Sequence, residues 1–303
     1  MDKIEKINAV QRMQDYIAAH LMSSISLYDL AKISGYSPWH CGRIFKELTG
    51  KNPFDYIRES RLSQAALKLR DEKVKIIEVA FDFVFDTPEG FSRAFSKYFG
   101  VKPSFYKRFK PPVKLFLPYH VKNKFSNILK GEKKMDKIRT IFVQVIDKPQ
   151  RKLILKRGIK ADNYFDYCEE VGCDVWGILC SIKDAIHEPM GLWLPDNLIK
   201  EGTSSYVQGV EVSFDDKGLV PDGFEIINLP ACKMMIFQGQ PYDDENFKEA
   251  IGELWDAIKN YDPSIYGFEW ADEDAPRFQL EPQGYRGYIE GRPVRCLISD
   301  KYD

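Results

Sequence analysis

The chain has 303 residues, enough for two domains that each bury a core, and its 44% hydrophobic and 29% charged residues are those of an ordinary soluble globular protein. No run approaches the ~18 apolar residues that span a bilayer, and the charged start MDKIEKINAVQRMQDYIAAH lacks an apolar signal core, so a cytoplasmic location without membrane contact is expected. The net charge of −1 conceals a division, with 19 Lys and Arg against 13 Asp and Glu in residues 1–110, 8 against 2 in 111–140, and 17 against 30 in 141–303; the basic front suits a polyanion, the acidic back solubility or a cationic partner.

Ile7, Val10, Met13, Tyr16 and Ile17 recur at helical spacing and predict a leading amphipathic helix. Ser26 and Gly35 bracket a short helix, LYDLAKIS, and Ser37 caps the next, PWHCGRIFKELTG, with Pro38 at its first helical position. Gly50 ends that helix, and after the turn KNP a longer one follows, FDYIRESRLSQAALKLRDE, with Tyr56, Ile57, Leu62, Ala65, Ala66 and Leu69 largely on one side. The plan then repeats as VKIIEVAFDF, a turn, PEGFSRAFSKYFG, the turn VKP and a closing SFYKRF. Arg43, Phe45, Gly50, Pro53 and Tyr56 recur as Arg93, Phe95, Gly100, Pro103 and Tyr106, each at an offset of fifty, and Ala31 and Ala80 precede the two copies. A doubled helix-turn-helix of this form suits entry into two successive major grooves of DNA.

Residues 111–136 hold Pro111, Pro112, Pro118 and many lysines without periodicity, and read as an exposed linker between residues 1–110 and 137–303. Beyond it RTIFVQVI, RKLILKR, MGLWLP, SSYVQGVEVSF, FEIINL, KMMIFQG, RFQLEP and GYIEGRPVRCLI predict strands. DNYFDYCEEVGCDVWGILCSI and DENFKEAIGELWDAIKNY predict helices, so two halves of similar element order suggest a duplicated βαββ arrangement.

The run DLAKISGYSPWHCGRIFKELTGKNPFDYIRESRL…IIEVAFDFVFDTPEGFSRAFSKYFGVKPSFYKR resembles the AraC/XylS family of transcription regulators over about residues 5–110. That resemblance implies two recognition helices on a rigid connecting helix, reading double-stranded DNA about one turn (~34 Å) apart. Phe45, Phe95, Tyr56 and Tyr106 are then core, and Gly50 and Gly100 end helices at φ > 0. Arg43 and Arg93 either reach a guanine edge, worth about 1–3 kcal/mol of discrimination, or form structural salt bridges. Trp39 and His40 open the first recognition helix where the family contacts bases and sugars; Ser37, Lys46 and Thr87 either touch phosphate or belong to a solvated face. The second copy departs from the pattern. Val84 stands where the family has Gly, and Glu89 would repel phosphate or select a cytosine amine, so the first copy is expected to carry most sequence specificity.

Residues from about 137 to 300 resemble the GyrI-like (SOUL-related) effector-binding domain through GVEVSFDD, PDGFEIINLPACKMMIFQG, YGFEWADEDAPRFQLEP and GYIEGRPVR. The fold class expected is therefore multidomain, an all-α double helix-turn-helix domain followed by an α+β GyrI-like domain. The resemblance implies a groove lined by aromatics with a buried Glu for a small cationic or amphipathic effector. Trp176, Trp193, Tyr206, Trp255, Tyr266, Phe268 and Trp270 supply seven aromatics, of which three or four are expected at a cavity. Glu290 and Glu281 supply carboxylates, although Glu290 has Arg292 or Arg295 as a strand partner instead. The function expected is a sequence-specific regulator that senses a small molecule and addresses RNA polymerase. The alternatives are a hydrolase of small electrophiles with Glu290 activating water, or a module that binds a basic protein. Six cysteines form no CxxC pair, and no catalytic constellation, metal set or cofactor loop is visible, so a non-enzyme without cofactor is expected.

Overall fold

The computed structural model describes residues 3–118, 120–124 and 140–297, and the chain divides into two units at Lys134 and Met135. The first unit is helical: α1 (Lys3–Ala19), α2 (Leu27–Ser34), α3 (Pro38–Thr49), α4 (Pro53–Asp71), α5 (Ile76–Asp82), α6 (Pro88–Phe99), α7 (Pro103–Phe109) and α8 (Val121–Lys124). Local chemistry sets its boundaries. Ser26 and Asp29 close a capping box on α2, and Ser37, Asn52 and Thr87 accept backbone N–H groups at the starts of α3, α4 and α6. Gly50 and Gly100 end α3 and α6 at φ 78° and 74°. Phe45 meets Tyr56 edge-on at 5.1 Å between ring centroids, and Phe95 meets Tyr106 at 5.6 Å.

The two copies share one turn but not its residue. Gly35 (φ 77°) lets the N–H groups of Gly35 and Tyr36 bond the Ala31 carbonyl. In the second copy Phe85 bonds the Ala80 carbonyl in the same way, but the left-handed position is Val84, at φ 62°. A β-branched residue is strained there by about 1–2 kcal/mol. Val84→Gly is therefore expected to stabilise this unit by about 1 kcal/mol, read as a rise in Tm on thermal unfolding. A lower Tm would show that the packing of the Val84 side chain outweighs the strain. The second copy carries another cost, since among the described residues the buried Tyr106 hydroxyl has no hydrogen-bond partner, whereas Tyr56 accepts from Gln14 at 3.1 Å.

Residues 111–118 and 120–124 correct the expectation of an exposed linker, whose remainder (119 and 125–136) lies outside the described residues. Val113, Leu115 and Val121 are buried, and Phe116 packs edge-on to Tyr56. The segment's backbone is tied by side-chain oxygens: Phe116 N–H to Ser63 at 2.7 Å, Val121 N–H to Gln14 at 2.9 Å and Lys122 N–H to Gln11 at 3.2 Å. It is a strap across α1 and α4, and it explains why two glutamines of α1 are buried.

The second unit holds β1 (Phe142–Lys148), β2 (Arg151–Arg157), α9 (Tyr164–Glu170), α10 (Asp174–Ser181), β3 (Met190–Trp193), β4 (Tyr206–Ser213), β5 (Glu225–Leu229), β6 (Cys232–Gln238), α11 (Phe247–Lys259), β7 (Phe268–Trp270), β8 (Arg277–Leu280) and β9 (Ile289–Cys296). One antiparallel sheet runs β1-β6-β9-β8-β3-β4-β2-β5, with β7 added to β9. Exchanging β1, β2, β3 and β4 for β5, β6, β8 and β9 reverses this order onto itself, so the sheet has an internal two-fold. Register agrees: Gly209 lies opposite Leu155 and Met190, and Gly291 opposite Ile236 and Phe278. Tyr206, Gln208 and Gly209 thus correspond to Tyr288, Glu290 and Gly291. A Cβ on Gly291 would fall 2.2 Å from the Phe278 ring, so glycine is required for that close approach.

The single long helix expected over 162–182 is two helices, because Gly172 turns the chain at φ 103° between α9 and α10. Alternation divides the sheet residues between cores. Leu153, Leu155, Met190 and Ile236 share one, Ile154, Val210 and Val212 pack with Tyr167 and Leu179, and Met235, Phe237 and Val294 pack with Leu254 and Ile258 of α11. Pro293 has no N–H, and at that point β9 changes neighbour from β8 to β7. Where β1 meets β2, Lys148 and Arg151 grip the buried Glu211 at 2.5 and 2.7 Å.

Candidate functional site

In the helical unit α3 buries Cys41, Ile44, Phe45 and Leu48, which turns Trp39, Arg43 and Lys46 outward. Trp39 is 73% exposed, an unusual cost for its size, and the Arg43 guanidinium lies 5.0 Å from the centre of its ring. Arg43 also reaches His40 Nδ1 at 3.4 Å. Arg43 only donates, so Nδ1 is the acceptor in this contact. No carboxylate pairs with Arg43 among the described residues, which leaves its other donors facing out. Three residues one turn apart thus form a single aromatic and basic patch. Ser37 is spent on its cap, accepting from His40 N–H at 3.4 Å.

On α6 the buried side chains are Phe91 and Phe95, and Glu89 and Arg93 are exposed. Thr87 is the cap, accepting from Gly90 N–H at 3.0 Å. Glu89 sits in the first turn, where a carboxylate favours the helix dipole. This face has no counterpart to the Trp39–Arg43 stack.

In the sheet unit a cavity of about 1270 Å³ is lined by Trp193, Trp255, Lys259, Asp272, Arg277 and Arg292 among others. Two arginines lie on two indoles: Arg277 is 4.8 Å from the Trp193 ring centre and Arg292 is 4.0 Å from that of Trp270. The Trp193 indole is fixed by donating to the Asp162 carbonyl at 2.9 Å. Arg292 is held by Asp272 in a two-bond fork of 2.8 and 2.5 Å.

Behind Arg277 and Trp255 lies Glu290, 1% exposed. One of its oxygens accepts from the Trp255 indole and lies 2.9 Å from the Tyr288 hydroxyl; the other accepts from Arg277 at 2.7 and 3.2 Å. The Tyr288 hydroxyl has one proton to share between Glu290 and Gln279 Oε1, which is 2.8 Å away. Burial, and then the Glu290 charge, push the Tyr288 hydroxyl well above its ordinary range, so it remains a donor. The indole and the guanidinium thus converge on one buried carboxyl group, with the Arg277 pair adding charge to the hydrogen bond.

The expected partners of Glu290 are corrected: Arg292 turns to Asp272 and Arg295 to Glu269 and Glu273, while Arg277 takes Glu290. Of the expected effector aromatics Trp193 and Trp255 line the cavity directly, with Trp270 behind Arg292, while Tyr266 is exposed and is not among its lining residues. Tyr206 is fully buried behind Trp193 at 5.2 Å between rings, and Trp176 is buried against Tyr164. Phe268 packs toward the core beneath α11, and Glu281 is exposed, accepting from Gln283 at 3.3 Å. Arg277 was not singled out from sequence and Arg292 only as a partner of Glu290; the residues that hold them, Glu290 and Trp193 for Arg277 and Asp272 and Trp270 for Arg292, are distant in the chain.

Among the described residues no cluster of His, Cys, Asp and Glu has the form of a metal site, and no helix is long and apolar enough to cross a membrane. Residues 30–108 match the family described as Helix-turn-helix domain. The chain is 35% identical over 92 residues to the HTH-type transcriptional activator AarP of Providencia stuartii, covering 30% of this chain and 68% of that protein. It is 41% identical over 95 residues to the transposon Tn10 TetD protein of Escherichia coli, covering 31% and 69%. The right origin-binding protein of Escherichia coli is 33% identical over 120 residues, covering 37% of this chain and 42% of that protein.

Proposed function

The chain belongs to the AraC family of helix-turn-helix transcriptional regulators, and from that premise we propose that its sheet unit is a GyrI-like sensor whose small-molecule ligand modulates DNA binding. The observation that carries the proposal is the buried Glu290 at the back of an aromatic cavity. Buried charge is costly, and here it sits against a cavity with aromatic walls, the combination that small-molecule sites use. The ligand proposed is an organic cation with apolar bulk, matched by indole faces and a desolvated carboxylate. RNA polymerase is the further partner that control of a promoter implies.

The hydrolase alternative needs Glu290 to take a proton from water, and the lone pairs of its two oxygens are already engaged by Trp255, Tyr288 and Arg277. The anchor reading suits this geometry better.

Tetraphenylphosphonium and tetraphenylborate, alike in shape and opposite in charge, test the reading by calorimetry on the full chain. Glu290→Gln is expected to weaken binding of the cation about tenfold, the order of one lost charge-assisted contact of ~1.5 kcal/mol. Binding of the borate should not fall. Equal loss of both ions would mean that the cavity collapsed, and no change would remove Glu290 from the site. The coupling is read by repeating the titration against a duplex selected from a random library.

A further inference from the structure

Glu290 does not itself line the cavity; two of its donors, Arg277 and Trp255, stand between it and the space. A ligand cation therefore meets Arg277 first. The Arg277 side chain is 35% exposed while its carboxylate partner is 1% exposed. The guanidinium ends a flexible stem and rests on the Trp193 face, from which it has a short path to water. The Trp255 indole has two rotatable bonds and belongs to α11, which makes it the more fixed of the two donors.

Leaving Glu290 without a cation would bury an uncompensated charge, a state strongly disfavoured in a protein interior. The empty site thus requires a counter-ion of its own. We propose that Arg277 is this resident cation, and that an organic cation binds by displacing it from Glu290. This deepens the sensor reading above and rests on it.

The exchange keeps the charge inside the unit constant, so its cost is set by hydration rather than by net charge. A guanidinium is weakly hydrated, and only a cation of similarly weak hydration can replace it without paying more to leave water than Arg277 regains by entering it. Delocalised or quaternary aromatic cations meet that condition; small ammonium ions do not. The device sets a threshold, because apparent affinity is reduced by the fraction of molecules in which Arg277 holds Glu290.

The test uses the full chain with Arg277→Met, which keeps the stem and removes the charge. Tetraphenylphosphonium is expected to bind at least tenfold more tightly than to the wild type, with no gain for tetraphenylborate. The gain should vanish in the Arg277→Met/Glu290→Gln double variant, whose neutral pair leaves no charge unpaired. Equal or weaker cation binding by Arg277→Met, with the cation still lost in Glu290→Gln, overturns displacement alone and leaves the sensor. Absence of cation binding by both wild type and Arg277→Met overturns the cationic sensor together with the displacement. A wild-type measurement covers a variant that fails to fold: the Arg277 Nε–H resonance, assigned through Arg277→Lys, should shift and exchange faster with water on saturation with tetraphenylphosphonium. An unchanged resonance overturns the proposal.

Discussion

Glu211→Ala is expected to lower the stability of the sheet unit by about 3–5 kcal/mol, because it strands two buried cations. Lys148 and Arg151 both point at this one carboxylate, and all three side chains are buried. The remaining Arg151 bonds, to the carbonyls of Pro149 and Pro230, satisfy donors without balancing charge. Lys148 also lies 5.0 Å from the Phe278 ring centre, an additional but small attraction. Burial already holds the Lys148 ammonium below its ordinary range despite Glu211. Four of the chain's five tryptophans, all but Trp39, fall in this unit, so denaturant unfolding followed by fluorescence reports on it. A loss below about 1 kcal/mol would mean that water reaches the triad and screens it.

The same triad sets a pH dependence. Burial pushes the Glu211 carboxyl up, but Lys148 and Arg151 together outweigh it and hold the group below its ordinary 4.5. A carboxyl with a depressed folded value binds its proton more readily when unfolded. Its contribution is therefore complete above pH 4.5 and is lost as pH falls from there through the folded value. Acid unfolding of the sheet unit should accordingly flatten in Glu211→Ala. An equally steep acid limb in the variant would assign it to other carboxylates.

Arg43→Ala is expected to cost about 1–3 kcal/mol of specific DNA binding, up to a hundredfold, while weakening binding to random duplex much less. The reason lies in how the side chain is held. Stacked on Trp39 and bonded to His40, the Arg43 fork is oriented before it meets a base, so less freedom is lost on contact. Among the described residues Arg93 has no such support, and its alanine variant should give a smaller loss spread evenly over sequences. Fluorescence anisotropy with a selected operator and a scrambled duplex, at two salt concentrations, separates the outcomes. Equal loss on both duplexes for Arg43→Ala would make it a phosphate contact.

Features decided within a few residues were legible in the sequence. The caps at Ser26 and Ser37, the left-handed ends at Gly50 and Gly100, and the awkward Val84 are set by local sterics and hydrogen bonding. Features decided by pairing across the fold were not. Glu290 was named from the sequence as a candidate carboxylate, but Arg277 reaches it through the β8–β9 register, where Gln279 lies opposite Glu290. Arg292, two residues along and on the same strand face, is drawn instead to Asp272 and Trp270. The strap formed by residues 111–118 and 120–124 was misread for a related reason. Its apolar residues are sparse, and the groups that hold its backbone belong to Gln11, Gln14 and Ser63, far away in the chain.

The internal two-fold of the sheet sets Gln208 in the position that Glu290 occupies in the other half. Two identical chains meeting at such an axis must carry the same residue on both sides, either two charges or none. Joining both halves in one polypeptide lifts that constraint, so one copy can hold an anion while its twin stays neutral. The interior of this unit then has a polarity, with one end distinguished from the other. The helical unit shows the same freedom at work, with Gly35 and Trp39 in one copy and Val84 and Glu89 in the other. Tandem repetition supplied the scaffold in both places, and divergence between the copies gave each scaffold a direction.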